Sequence, residues 1–224
     1  MYAPVDQPLV ANSKTSAPQD EQILAHLRRG HFAAMEQLVR RYQDRLYATV
    51  FRIVNHPDDA ADIVQETFVK ALENVAAFEG KSSLYTWLFR IAVNLALTQK
   101  RRLKYRQAAS LDADELNRQA AGLRAQLAQR TEPGPAEEAA NRLDAQALLE
   151  ALERLEPAQR ALIVLRDIDG CDYQQIAEIL QTPVGTVKSG LFRARMALRQ
   201  VVEHGATSGR AAGPNAPEEG ARRR

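Results

Sequence analysis

Two groups of residues in this chain have the types and spacing of nucleic-acid ligands. In the first, Phe78, Tyr85 and Trp87 supply flat faces on which bases can stack, and Arg90, Lys100, Arg101 and Arg102 supply cations for phosphates. Single-stranded sites are built from aromatics interleaved with cations, because a π face accepts any base and the groove tracks the backbone. The second group lies between Gln181 and Val202, a stretch without acidic residues in which Lys188, Arg193, Arg195 and Arg199 are basic and Phe192 stands among them. That imbalance suits a phosphate backbone. Blander readings stay open: Trp87 as pure core, a solvated basic face, and Phe192 packed on a neighbouring element.

Helices must position both groups. Tyr173, Ile176, Ala177 and Leu180 recur at three and four residues, which predicts a short amphipathic helix over Tyr173–Leu180. At Thr182-Pro183 a hydroxyl residue precedes a proline, an N-cap followed by a first helical position. The next helix buries Val184, Val187, Leu191, Ala194, Leu198 and Val202 and turns Gly185, Ser189, Phe192, Arg193 and Met196 outward, with Thr186 and Lys188 on its flanks. The pair reads as a helix-turn-helix, and the pattern alone leaves DNA binding and an ordinary helical pair both open.

Upstream, Asp20 is a plausible N-cap for an apolar series from Ile23 to Phe51, broken at Arg29-Gly30 and ended by Asn55-His56-Pro57. A helix over Asp58–Ala76 buries Ala61, Val64, Phe68, Ala71, Leu72 and Val75 and leaves Asp62, Gln65 and Glu66 outside, either a solvated face or a docking surface. Phe78 to Ser83 form a turn. The following helix, about Leu84 to Arg102, is apolar nearly all round except for Thr86, Arg90 and Asn94 at i, i+4 and i+8. An Arg on so apolar a helix needs a partner, either an internal carboxylate or nucleic acid. Lys104–Glu138 lacks regular large apolar residues and reads as a linker, with at most a transient helix in Asp112–Gln129. A helix from Glu138 to about Glu156 and a second over Ala158–Arg166 then lead through Asp169-Gly170 to the helix-turn-helix.

Charge is segregated although the formal net is only +2: Phe78–Arg106 carries seven Lys/Arg against Glu79, and Gln107–Arg160 ten acids against six arginines. The single cysteine, Cys171, rules out an internal disulfide and any Cys-based metal cluster within one chain. Residues 1–19 and 204–224 read as disordered tails, the first without the pattern of a secretory signal. No apolar run is long enough to span a bilayer, and the expected setting is the cytoplasm. Phosphate-cradling glycine loops, HExxH, Cys-x-x-Cys and Gly-x-Ser-x-Gly are missing and the four histidines are dispersed, so no catalytic residue, metal or cofactor is assigned.

The strings Asp58-Asp-Ala-Ala-Asp-Ile-Val-Gln-Glu-Thr-Phe68, Thr86-Trp-Leu-Phe-Arg-Ile-Ala-Val-Asn94, Tyr173-Gln-Gln-Ile-Ala-Glu-Ile-Leu180, Pro183-Val-Gly-Thr-Val-Lys-Ser189 and Leu191-Phe-Arg-Ala-Arg195 resemble a bacterial sigma factor. The similarity is to the extracytoplasmic-function group, sigma-E type, of the sigma-70 family. It implies an all-α protein of two small helical domains joined by a flexible linker, region 2 over 20–106 and region 4 over 138–203, with the linker at 107–137. It also implies partners: core RNA polymerase through its beta and beta-prime subunits, promoter DNA, and an anti-sigma factor, with no membrane insertion. By this resemblance Asp62, Gln65 and Glu66 dock on the polymerase clamp. Phe78, Lys81, Ser82, Ser83, Thr86, Trp87, Arg90, Asn94, Lys100 and Arg101 open the −10 element and hold a flipped base, and Thr186, Lys188, Ser189, Phe192 and Arg193 meet the −35 major groove. Two positions depart from the family: Gly190 stands where Arg is frequent, removing a phosphate or base contact, and Leu84 replaces the usual Phe near the −10 pocket.

The expected function is therefore an alternative sigma factor of transcription initiation, a non-enzyme that directs polymerase to −35/−10 promoters. The alternative is a regulator using only its helix-turn-helix on duplex operators; a helical protein with an acidic partner is a third reading. An apolar surface shared between the domains is a candidate target for the anti-sigma factor.

Overall fold

A computed structural model of the chain describes residues 18–109 and 146–210, and every regular element among them is helical. The expected N-terminal tail up to 17, most of the linker with its Asp112–Gln129 helix, the start of the Glu138 helix and the last fourteen residues of the C-terminal tail lie outside the described residues.

The N-terminal domain consists of α1 (Pro18–Arg28), α2 (Ala33–Val54), α3 (Pro57–Asn74) with a 3-10 turn at Val75–Ala77, and α4 (Leu84–Ala109). Gly30, at φ +78°, supplies the left-handed turn between α1 and α2. Asn55, also left-handed, returns its N–H to Phe51 O at 2.7 Å and closes α2. His56 then caps α3, its Nδ1 accepting from the Asp59 N–H, with Pro57 in the first turn. Asp20 is not the cap the sequence predicts. It sits within the first turn of α1, buried, where Tyr42 Oη donates to it at 2.9 Å and Arg41 Nε pairs with it at 2.8 Å, tying α1 to α2. Leu38, Leu46, Val50, Ile53, Leu84, Leu88 and Phe89 form the core between α2, α3 and α4.

The C-terminal domain starts with α5 (residues 146–153), followed by α6 (Pro157–Ile163), a π turn at Val164–Ile168, α7 (Tyr173–Leu180) and α8 (Val184–Arg210). Asp172 and Gln175 form a reciprocal capping box at the start of α7. The first bonds of α8 run from Thr186 and Val187 to Pro183 O, one residue later than a Thr182 cap would give. Ile176, Val187, Leu191 and Ala194 are buried as the periodicity predicts, and Ile179, outside the predicted face, is buried with them, whereas Tyr173, Ala177 and Leu180 are half-buried, Val202 is exposed and α8 continues into the expected tail.

The two domains do not stand apart. Helix α7 packs along α4, α6 touches α2 and α4, and the π turn touches α2, so one apolar core runs through both halves. Polar bonds stitch this junction: Arg160 Nη1 to Ile53 O at 2.7 Å, Asn55 Nδ2 to Glu153 at 2.8 Å, and Lys104 Nζ to Glu156 at 2.9 Å. Near the centre, Thr49 Oγ1 donates to Asp169 Oδ2 at 2.7 Å, and Arg45 lies over the Tyr85 ring at 4.5 Å.

Candidate nucleic-acid interface

Helix α4 carries the first site. Ser83 starts it: its Oγ accepts from the Thr86 N–H at 3.1 Å and lies 2.9 Å from Thr86 Oγ1, so Ser83 acts as the helix cap. Ser82, Ser83 and Thr86 are all buried, and Arg90 and Asn94 are half-buried on successive turns of the same face. The Nε of Arg90 is buried and has no hydrogen-bond partner among the described residues, so no carboxylate among them satisfies it. A buried donor left open costs about 1–3 kcal/mol, which an incoming acceptor such as a phosphate or a base edge recovers.

The aromatics are arranged differently from three open stacking faces. Phe78 is buried, its ring 4.8 Å from that of half-buried Trp87, so Phe78 backs Trp87. Arg28 at the end of α1 donates to the Phe78 carbonyl and, at 3.5 Å, to Val75 O, which anchors the turn. Tyr85 faces the C-terminal domain, with its hydroxyl 3.5 Å from Cys171 Sγ and its ring 4.0 Å from Phe89. Burial raises the Tyr85 hydroxyl pKa and pushes the Cys171 thiol up to about 11, which keeps that thiol protonated and unreactive. Lys81 is exposed and pairs with Glu79, while Arg101 is exposed and bonds back to Leu97 O and Thr98.

Helix α8 carries the second site. Thr186, Lys188, Ser189, Phe192 and Arg193 are all exposed along one side, Phe192 by 68%. Phe192 therefore does not pack on a neighbouring element. The polar side chains fold back on their own helix, Ser189 Oγ to Thr186 O and Arg193 Nε to Ser189 O, so their outer atoms project from a rigid rod. Not every cation is available: Arg195 is held by Asp167 of the π turn, which also raises its pKa by hydrogen bonding. Gly190 is half-buried, and a Cβ there would lie 2.9 Å from Leu162 Cδ1. That position faces α6 rather than open solvent. Leu84 is fully buried and so sets core volume.

On α3, Asp62, Gln65 and Glu66 are exposed together, and Val69 and Leu72 continue the same surface as exposed apolar residues. The acidic face is thus extended by a hydrophobic one, a feature more typical of docking than of a merely solvated helix.

Residues 38–106 match Sigma-70 region 2 and residues 145–198 match Sigma-70 region 4. The RNA polymerase sigma-H factor of Pseudomonas aeruginosa is 34% identical over 83% of this chain and 94% of that protein. The ECF RNA polymerase sigma-E factor of Escherichia coli K12 is 35% identical over 82% and 94%. The chain belongs to the extracytoplasmic-function sigma factors. Among solved structures, RpoE of Bartonella quintana, crystallised with the anti-sigma factor NepR, is 29% identical, with a TM-score of 0.56 over 75% of this chain and 96% of that one. CnrH, solved with the cytosolic domain of CnrY, shares the fold at 24% identity and a TM-score of 0.57. This sigma factor is thus an alternative sigma subunit that serves core RNA polymerase at promoter DNA. Its family is not a class of enzymes. No helix among the described residues is long and apolar enough to cross a membrane.

Sequence reasoning missed the domain junction. Thr49, Arg160 and Asp169 carry no local signal, because their partners lie 107 to 120 positions away in the chain.

Proposed function

We propose that residues 20–106 form the polymerase- and −10-binding half of this sigma factor, residues 138–203 its −35-binding half, and 107–137 the linker between them. Asp62, Gln65 and Glu66, extended by Val69 and Leu72, dock on the polymerase clamp. Trp87, braced by Phe78, stacks on a −10 base. Ser82, Ser83, Thr86, Arg90 and Asn94 line the place where a flipped base is held, with Lys81, Lys100 and Arg101 on the strand's phosphates. Thr186, Lys188, Ser189, Phe192 and Arg193 enter the −35 major groove, where cationic tips bond guanine edges and an aromatic meets thymine methyls.

The observation that carries this reading is the buried, unpartnered Nε of Arg90, one turn beyond Thr86 on the helix where stacking residues and cations meet. It supports a ligand of acceptor character at that face. The protein performs no chemistry of its own, works in the cytoplasm, and is held inactive by an anti-sigma factor. The Bartonella quintana relative solved with an anti-sigma factor supports the last point, and the apolar groove between α2 and α5, lined by Tyr47, Phe51, Leu148 and Leu152, offers a surface for that partner.

Run-off transcription with purified core polymerase on a promoter library tests the whole. Wild type yields transcripts from one shared −35/−10 motif, and Asn94→Ala and Arg193→Ala each lose them. Promoter-independent duplex binding without transcripts would overturn it in favour of an operator-binding regulator.

A further inference from the structure

We infer that the turn between α1 and α2 is a further nucleic-acid contact, in which Phe32 stacks on an unpaired base of the promoter strand held by α4. Phe32 is 79% exposed, and no large apolar side chain among the described residues is more so. Its side chain has no capping role at the start of α2. The turn needs no aromatic, because Gly30 supplies the left-handed backbone and the bonds that close it run between main-chain groups, from Gly30 N–H to Leu27 O and from Met35 N–H to Phe32 O, both at 2.9 Å. A single exposed apolar ring is ordinary on a protein surface, so the ring alone decides nothing. Its surroundings decide.

No acidic residue occurs from Gln22 to Met35, while His26, Arg28, Arg29 and His31 all stand exposed within that stretch. The imidazole rings of His26 and His31 lie 5.5 Å apart, so flat faces and cations alternate around the tip. The carboxylates that border it are taken: Glu36 pairs with Arg40 at 2.6 Å, and Glu79 pairs with Lys81. An aromatic among cations, with acids excluded, suits an unpaired strand, whose phosphates meet the charges and whose bases are free to stack. Position then ties the tip to the site on α4. Arg28 donates to the Phe78 carbonyl and, at 3.5 Å, to Val75 O, and the Phe78 ring lies 4.8 Å from that of Trp87. The contacts Trp87 to Phe78 to Arg28 therefore lead from the stacking residue of α4 to the tip, and a strand that leaves Trp87 over the Phe78 turn reaches Phe32 within a few nucleotides. The inference rests on the reading of α4 as the −10 site and extends that site onto α1 and α2. Base-paired DNA does not fit here, because the ring takes only a base that has left its stack.

The test uses the full chain with core polymerase and a fork-junction DNA whose −10 strand is unpaired, carrying the motif that run-off transcription selects. Phe32→Ala weakens fork binding about five- to tenfold, and Phe32→Trp retains it. Arg29→Ala lowers the salt slope of fork binding by about one unit. A fluorescent adenine analogue, 2-aminopurine, placed at successive positions of the unpaired strand is quenched at one of them by wild type and not by Phe32→Ala, which identifies the stacked base. Melting temperature, affinity for a −35 duplex and affinity for core polymerase without DNA are unchanged in Phe32→Ala, because the ring holds no part of the fold. Trp87→Ala, measured in parallel, separates the two ways of failing. If Trp87→Ala weakens fork binding and Phe32→Ala does not, the inference falls and the −10 reading stands; if neither does, both fall. A loss in Phe32→Ala that is already complete in core binding without DNA also overturns the inference and makes the tip a polymerase contact.

Discussion

Thr49 on α2 donates its hydroxyl hydrogen to Asp169 Oδ2 at 2.7 Å, joining residues 120 positions apart at the contact between the two halves of the sigma factor. Burial raises the Asp169 pKa above its ordinary 3.8, against the opposing pull of the Thr49 bond and of Arg52 and Arg45. A carboxyl group whose folded pKa is raised favours the protonated form in the folded state. Its penalty is absent below the unfolded pKa and grows as pH rises through the folded one.

The consequence is a difference between wild type and Asp169→Asn, which keeps an acceptor for Thr49 without the charge. The variant gains stability relative to wild type as pH rises from about 4 toward neutrality. Tyr85 and Cys171 also face this centre but stay in one protonation state over that range. Urea melts at pH 4.5 and 7 check this; a variant that loses stability relative to wild type between those two values would reverse the sign.

Arg160 is 3% exposed and spends its guanidinium on three carbonyls, of Ile53, Glu153 and Leu155. Burial lowers its pKa. Arg160→Ala leaves those carbonyls without a charged donor and opens a cavity, and it lowers stability by about 3 kcal/mol. Equilibrium unfolding measures it; a loss below about 1 kcal/mol would mean the carbonyls find water at no cost.

Phe192 is exposed and Arg193 projects from the same face, so neither holds the fold. Phe192→Ala costs about 1–3 kcal/mol of −35 duplex affinity, mostly on sites with thymine at one position. Arg193→Ala flattens the salt dependence of binding by about one unit if it meets a phosphate, and relaxes sequence preference if it meets a base. Fluorescence anisotropy at several salt concentrations distinguishes the two, with melting temperature unchanged in both variants.

Gly190→Ala is the test of the helix position that departs from the family. Helix propensity favours Ala by about 1 kcal/mol, and the clash is with Leu162 Cδ1, the mobile tip of a side chain. The net change in stability stays within about 1 kcal/mol and −35 affinity is unaltered. A tenfold change in affinity with intact stability would place residue 190 in the groove after all.

Arg90→Ala removes an unsatisfied buried donor, so stability holds or rises slightly, while binding to a −10 fork with an exposed strand falls at least tenfold. Band-shift titration with core polymerase gives the second number and thermal melting the first. A large stability loss would show that Arg90 holds the helix rather than the DNA.

Local periodicity determined much of this protein. The apolar spacing of Tyr173–Leu180 specified α7 to the residue, Asn55-His56-Pro57 specified the break after α2, and the motif strings specified the family and its two regions. These features were legible because a helix face and a cap are set by residues three or four positions apart. The tertiary structure alone decided which of the aromatic faces are free. Phe78, Tyr85 and Trp87 look alike in the sequence, yet Phe78 turns inward beneath Trp87 and Tyr85 is taken by Cys171 and Arg45. It also decided that Gly190 faces Leu162 and that two domains share one core. Helix α4 is apolar nearly all round, which announces burial but not by what; that depends on contacts between segments a hundred residues apart, and nothing in local spacing encodes them.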